Sequence, residues 1–353
     1  MTEHVTPAAP APAPAPAPAG QGRKLVVLVF GLAAVVVGML CAFAFPTIHS
    51  GPHDVPVGVT GPQNATAAVS KALAGDAWDV RVYGDEEALA SAVKDRDVMG
   101  GIALSAEGVT AYTATAAGPP AAAAITATAT ALAEQQQGEV KVTDLKPFPV
   151  DDPKGAGFSS AALPMVIGGM IPAVALTRLF PGHSGLRSRL AGGIAFAVVA
   201  GFAITALLQF GTGSLDGDYW ITSLGLSLGM GGLSLTLLGL EALIGMAGFG
   251  LGAVVVMFLG NPLSGLASGP HWLPDGWVTV GQLLPPGASG SLLRANAYFD
   301  GAGSGTAALT LGCWVAFGLA LSLIADRRGR RASLAGEVAP SERESRTEGT
   351  AAA

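Results

Sequence analysis

The sequence predicts an α-helical integral membrane protein: six transmembrane helices with an extracytoplasmic α/β domain inserted between the first and the second. Two observations predict this class. Half of the 353 residues are hydrophobic and only 12% are charged, against a usual charged share of roughly 25%. The apolar residues form one run near the N-terminus and five closely spaced runs after residue 158, with water-compatible sequence between. Lipid offers a backbone no hydrogen-bond partners, so each long apolar run must satisfy its own as a helix.

Within residues 1–22 the run 7–19 is all Ala and Pro, with a Pro-Ala repeat through Ala19. Such a run favours extended polyproline conformation and has nothing to bury, which predicts a disordered cytoplasmic tail. Arg23 and Lys24 then precede Leu25–Phe45, about 21 apolar residues and enough to span roughly 30 Å of hydrocarbon. Ala42-Phe43-Ala44 resembles a signal-peptidase site. The apolar core is nonetheless longer than a secretory one, so residues 23–46 read as a retained first helix, with cleavage after Ala44 as the alternative.

Residues 47–158 change pattern. Val55–Val59 reads as a strand, Gln63–Leu73 as a helix and Trp78–Tyr83 as an alternating strand. Asp85–Lys94 is a helix with Asp at its N-cap. Val98–Leu104 and Val109–Thr115 are two strands around the turn Glu107-Gly108. Pro119–Gln137 is an Ala-rich helix with Pro in its first turn, and Val140–Leu145 a last strand. The order β-α-β-α-β-β-α-β predicts a small α/β domain without cysteine, held by burial alone.

The membrane bundle occupies residues 159–325, with spans expected at Ser160–Phe180, Leu190–Phe210, Trp220–Leu240, Leu243–Leu259 and Gly305–Ile324. Only Glu241 separates the middle pair; the division rests on length, since Trp220–Leu259 is about twice one span. Residues 326–353 read as a second disordered cytoplasmic tail. Arg23 and Lys24, then Arg178, Arg187 and Arg189, then Arg327, Arg328, Arg330 and Arg331 fall on one side of six spans. The opposite side carries Asp216, Asp218 and a connector, residues 261–303, whose only cation is Arg294. The positive-inside rule then predicts a multi-pass plasma-membrane protein with both termini cytoplasmic.

No catalytic set emerges. No Lys follows a Gly, which excludes a Walker A loop. His49 and His53 are separated by Pro52 in a linker, a poor frame for a metal pair. Gly225-Leu226-Ser227-Leu228-Gly229 matches GxSxG inside an apolar span, where no strand can precede the serine. Glu241 reads as a solvated turn residue and Gln209 as interfacial, leaving no evident proton carrier. Cys41 and Cys313 lie in apolar runs and read as packed small hydrophobes. The sequence implies no enzyme, cofactor, metal or nucleic-acid partner; the lipid bilayer is its first partner. Gly225 with Gly229 and Gly248 with Gly252 form GxxxG pairs that permit close helix approach. The connector is too apolar for a free loop and too broken for a span. It reads as an outer interfacial lid, with Trp272, Trp277, Pro285, Pro286 and Arg294 as its candidate residues.

One span, a large outer domain, five clustered spans and a Pro-rich outer segment with Leu293-Arg294 before the last helix resemble the type-2 ATP-binding-cassette permeases. Val55-Pro56-Val57-Gly58-Val59 with Asp97-Val98-Met99-Gly100-Gly101-Ile102 is similar to their large-ectodomain branch, which includes YhgE/Pip-like membrane proteins. The resemblance implies a homodimer, or a heterodimer with a similar permease, served by a cytoplasmic ATPase and exporting an apolar or amphipathic substrate. Arg187 and Arg189, in a short loop, would then be the ATPase docking point. The family's amphipathic helix before the first span is replaced here by the Pro-Ala repeat. The competing expectation is a non-transporting envelope protein whose outer domain binds a partner or cell-wall component.

Overall fold

The computed structural model describes residues 21–182, 184–274 and 276–351, with side chains from Gly22 to Arg331. The tail expected at 1–22 lies outside these residues apart from its last two. Helix α1 is Gln21–Ile48. There follow β1 Val55–Thr60, α2 Gln63–Ala72, β2 Trp78–Val82, α3 Glu86–Lys94, β3 Gly100–Ser105, β4 Gly108–Thr113, α4 Pro119–Gln135 and β5 Val140–Asp144. These match the element order expected from the sequence.

The five strands form one mixed sheet in the order β2-β1-β3-β4-β5. β1 lies parallel to β2 and β3, β3 antiparallel to β4, and β4 parallel to β5. Alternation along β1 sorts its faces: Val57 and Val59 pack with Val69, Ile102, Ile125 and Ala129 under α2 and α4. On the other face Gly58 and Gly101 leave room for Leu89 of α3, whose Cδ1 would lie 2.5 Å from a Cβ placed at Gly101. α3 starts where Asp85 Oδ1 accepts from the Ala88 N–H at 2.7 Å. The apolar cluster holding Leu89, Val93 and Met99 continues without a break into Phe158, Met165, Leu226 and Leu293. Sheet and bundle therefore share one core.

The bundle comprises α5 Ala156–Ser160, α6 Ala162–Leu179, α7 Leu186–Ala206 with a π turn at Leu207–Gly211, α8 Tyr219–Ile244, α9 Met246–Val255 with a π turn at Val256–Gly260, and α12 Gly305–Ala351. Among the described residues five helices are long and apolar enough to cross a membrane: Gly22–Ile48, Ala156–Leu179, Leu186–Gly211, Tyr219–Ile244 and Gly305–Arg331. Met246–Gly260, at the position of the expected span Leu243–Leu259, is apolar but shorter, about 22 Å at 1.5 Å per residue. The break comes at Gly245, whose φ of 73° ends α8, and not at Glu241.

α8 is the hub, packed against α6, α7, α9 and α12 and almost wholly buried, whereas α1 is bare from Gly22 to Leu40. The GxxxG pairs serve packing within the chain. A Cβ at Gly229 would meet Ser289, and one at Gly225 would meet Asn296 and Leu292; Gly252 lies against Leu237 of α8. The chain leaves α1 beside the connector, where the Gly51 N–H donates to the Trp272 carbonyl at 3.2 Å. The start of α7 meets the end of α8 through Arg189 and Glu241, and the same end of α8 meets α12 where Gly239 packs against Leu321 and Ser322. α12 stays helical through Ala351, where a disordered tail is expected; its Ala-, Arg- and Glu-rich composition favours continuation.

The connector folds as two short 3₁₀ turns, Pro262–Ser264 and Pro270–Trp272, then α10 Trp277–Leu283 and α11 Pro285–Tyr298. α11 is buried along nearly its whole length, wedged between α8, α12 and the sheet side of the molecule. It is a core element and not a lid.

Candidate functional site at the junction of sheet and bundle

Arg294 occupies the centre of this junction. Its side chain is 2% exposed, and its guanidinium donates to the carbonyls of Ala116 and Leu266, each at 2.5 Å. One carbonyl follows β4 and the other belongs to the connector, so a single planar fork ties the two together. The guanidinium also lies 4.6 Å from the centre of the Phe158 ring. Burial, with Arg96 as the second cause, pushes it down to about 9, which leaves it charged near neutrality. Arg96 adds a second tie: it lies 5.2 Å over Phe299 and donates to the Ala302 carbonyl at 3.4 Å.

One turn further along α11, at Ala297 and Tyr298, a cavity of about 640 Å³ opens at the junction. Four segments enclose it: the link after β5, the π turn ending α7, the loop before α8 and the end of α11. Pro147 and Pro149 hold the link extended and deliver Phe148, which meets Tyr298 edge-on at 5.3 Å. Tyr298 donates to the Ser214 carbonyl at 2.7 Å, and burial pushes its hydroxyl pKa up. Gly155, at φ 64°, lets the chain turn against the Phe148 ring, where any Cβ would collide. Asp152 accepts from the N–H groups of Ala156 and Gly157 at 2.8 and 2.7 Å and so starts α5.

Charge around the cavity is unbalanced. Lys146 pairs with Asp300 at 3.0 Å. Asp218 is committed to the N-terminus of α8, accepting from the Ile221 N–H at 2.8 Å. Asp151 and Asp216 line the cavity, are exposed, and have no hydrogen-bond or ion-pair partner among the described residues. Gln209 donates to the Gly217 carbonyl at 2.8 Å, while its own Oε1 is buried without a partner.

The residues singled out in the sequence are scattered. Of the candidate lid, Trp277 is exposed and Trp272 half-buried, but Pro285, Pro286 and Arg294 are inside. Of the candidate docking pair, Arg187 is exposed while Arg189 is 4% exposed and paired with Glu241 at 2.5 Å. Arg189 also donates to the Gly182 carbonyl at 3.0 Å. Glu241 is therefore not a free turn residue: its side chain, 14% exposed, neutralises a cation at the α7 entrance. Ser227 of the GxSxG match donates to the Ser223 carbonyl one turn back. His49 and His53 each bond a nearby backbone carbonyl, at Phe45 and Gly51. Cys313 is exposed on α12 where a packed residue is expected, and Cys41 is half-buried. Among the described residues no cluster of three or more His, Cys, Asp or Glu is placed to hold a metal ion.

Sequence reasoning missed the Arg189–Glu241 pair and the cavity, because each joins segments distant in the chain. Arg294 gave the available signal: a lone cation in a long apolar connector must be paired or bonded to carbonyls. No protein-family model matches this chain, and no curated protein or solved structure matches it significantly.

Proposed function

We propose that the chain is the membrane subunit of a type-2 ATP-binding-cassette exporter, moving an apolar or amphipathic compound outward with energy from a separate ATPase. In this reading Met246–Gly260 completes six crossings, both termini are cytoplasmic in the plasma membrane, and the α/β domain is extracytoplasmic. The observation that carries it is the junction cavity. It combines aromatic walls with unpaired carboxylates, and it is built by the bundle and the α/β domain together. A helix movement in the bundle would therefore reshape it through α11 and Arg294. Of the pair expected to dock an ATPase, Arg187 is exposed and available, whereas Arg189 is committed to Glu241.

The test is a pull-down of full-length protein from mild detergent, followed by an ATPase assay. The reading expects ATP hydrolysis to come down with the wild type and to fall with Arg187→Glu. Pull-downs without hydrolysis would overturn it. A second reading, an envelope protein that binds a partner through its outer domain and transports nothing, is favoured by the dense bundle. Among the described residues, two of its cavities are a void of about 10 Å³ beside Met165 and an apolar pocket of about 180 Å³ beside Trp314.

A further inference from the structure

We propose that the junction cavity binds an amphipathic organic cation: a compact aromatic or branched apolar body carrying one ammonium-type charge. The inference names the substrate class of the cavity and so rests on reading that cavity as the site that receives substrate. Its volume of about 640 Å³ falls in the range of small-molecule sites, roughly 300–1,000 Å³. Phe210 lines the cavity with an exposed ring and the largely buried Phe148 and Tyr298 line it beside Phe210, and aromatic groups attract cations as well as apolar surface.

The charge pattern selects the sign. Lys146 cancels Asp300, while Asp151 and Asp216 stand at the cavity without a counter-charge. An anion would meet two carboxylates. A bare metal ion finds no donor cluster among the described residues. A cation with an apolar body satisfies both features at once, since the walls take the body and the carboxylates take the charge.

The experiment uses full-length protein in phosphatidylcholine nanodiscs titrated with ethidium, whose fluorescence rises when it leaves water, with anionic fluorescein as the comparison probe. Wild type should bind ethidium saturably and fluorescein not at all. A unit charge at about 4 Å in a solvated site contributes enough for roughly a fivefold change in affinity. Asp151→Asn and Asp216→Asn should therefore each weaken binding by about that factor, and the double variant by roughly twenty-five-fold. Lys146→Met, which frees Asp300, should tighten it. Unchanged thermal unfolding of the two Asn variants separates lost binding from lost folding, because both carboxylates are exposed and unpartnered. Failure of wild type to bind saturably, equal binding of fluorescein, or unaltered affinity in the double variant each overturns the inference. ATP hydrolysis in the pull-down without ethidium binding would sink this inference and leave the exporter reading standing. Ethidium binding without a co-purifying ATPase would do the reverse.

Discussion

Replacing Arg294 with Met tests whether the α/β domain is fastened to the bundle or merely tethered to it. The side chain makes two charge-assisted bonds at 2.5 Å and stacks 4.6 Å from the Phe158 ring. Methionine fills much of the same space but leaves the Ala116 and Leu266 carbonyls without those donors. Each orphaned buried carbonyl costs about 1–3 kcal/mol. Part of that loss is offset because a guanidinium no longer has to be kept out of water. A net destabilisation of about 2 kcal/mol follows, equivalent to a fall of roughly 3 °C in unfolding midpoint for a chain of this size.

Two assays read the outcome. Thermal unfolding in detergent gives the size of the loss, and hydrogen exchange gives its place. Met should lower the midpoint and speed exchange in residues 114–118 and 264–268, the segments Arg294 holds. Lys, which keeps the charge but presents no planar fork, should fall between Met and wild type. A midpoint within about 1 °C of wild type, or exchange that rises everywhere except in those two segments, would refute the account of Arg294 as the fastening.

Three further outcomes are expected. Glu241→Ala leaves the buried Arg189 with only the Gly182 carbonyl and should cost about 3 kcal/mol. The exchanged pair Arg189→Glu with Glu241→Arg should recover part of it in the same unfolding assay, and no recovery would argue against a direct pair. Burial, and then the Arg96 charge, hold the His271 pKa below its ordinary 6.5. The unfolded chain therefore takes up that proton first, so the contribution of His271 is complete above pH 6.5 and is lost as pH falls through the folded value. His271→Gln should flatten this acid loss in an unfolding series from pH 7.5 to 5; an equally steep series would refute it. A cysteine at the exposed Ser91, in a Cys41→Ser/Cys313→Ser background, should react with impermeant maleimide in intact cells; labelling only after lysis would invert the proposed orientation.

What could be read in the sequence, and what could not, divides along a physical line. The strands were legible because burial on two faces writes itself into adjacent residues: Val57 and Val59 flank Gly58, which must be small against Leu89 of α3. The start of α3 was legible because a cap is a local event, with Asp85 and the Ala88 N–H three residues apart. The long helices were legible because lipid contact demands apolar residues on every side, as on the bare α1. α11 obeys the opposite rule. It is surrounded by protein, so its neighbours can satisfy Arg294 and Asn296 and accept Gly and Ser. A fully buried helix can then carry the composition of a loop, and Pro285-Pro286-Gly287 at its start reinforces that impression although Pro is well placed in a first turn. Likewise Arg189 and Glu241 are 52 residues apart, so each reads alone as a surface charge at a helix end. The cavity sits where this nonlocal part of the fold is concentrated. Its aromatic wall depends on Tyr298 of α11, and its excess negative charge depends on which of Asp151, Asp216, Asp218 and Asp300 are occupied elsewhere.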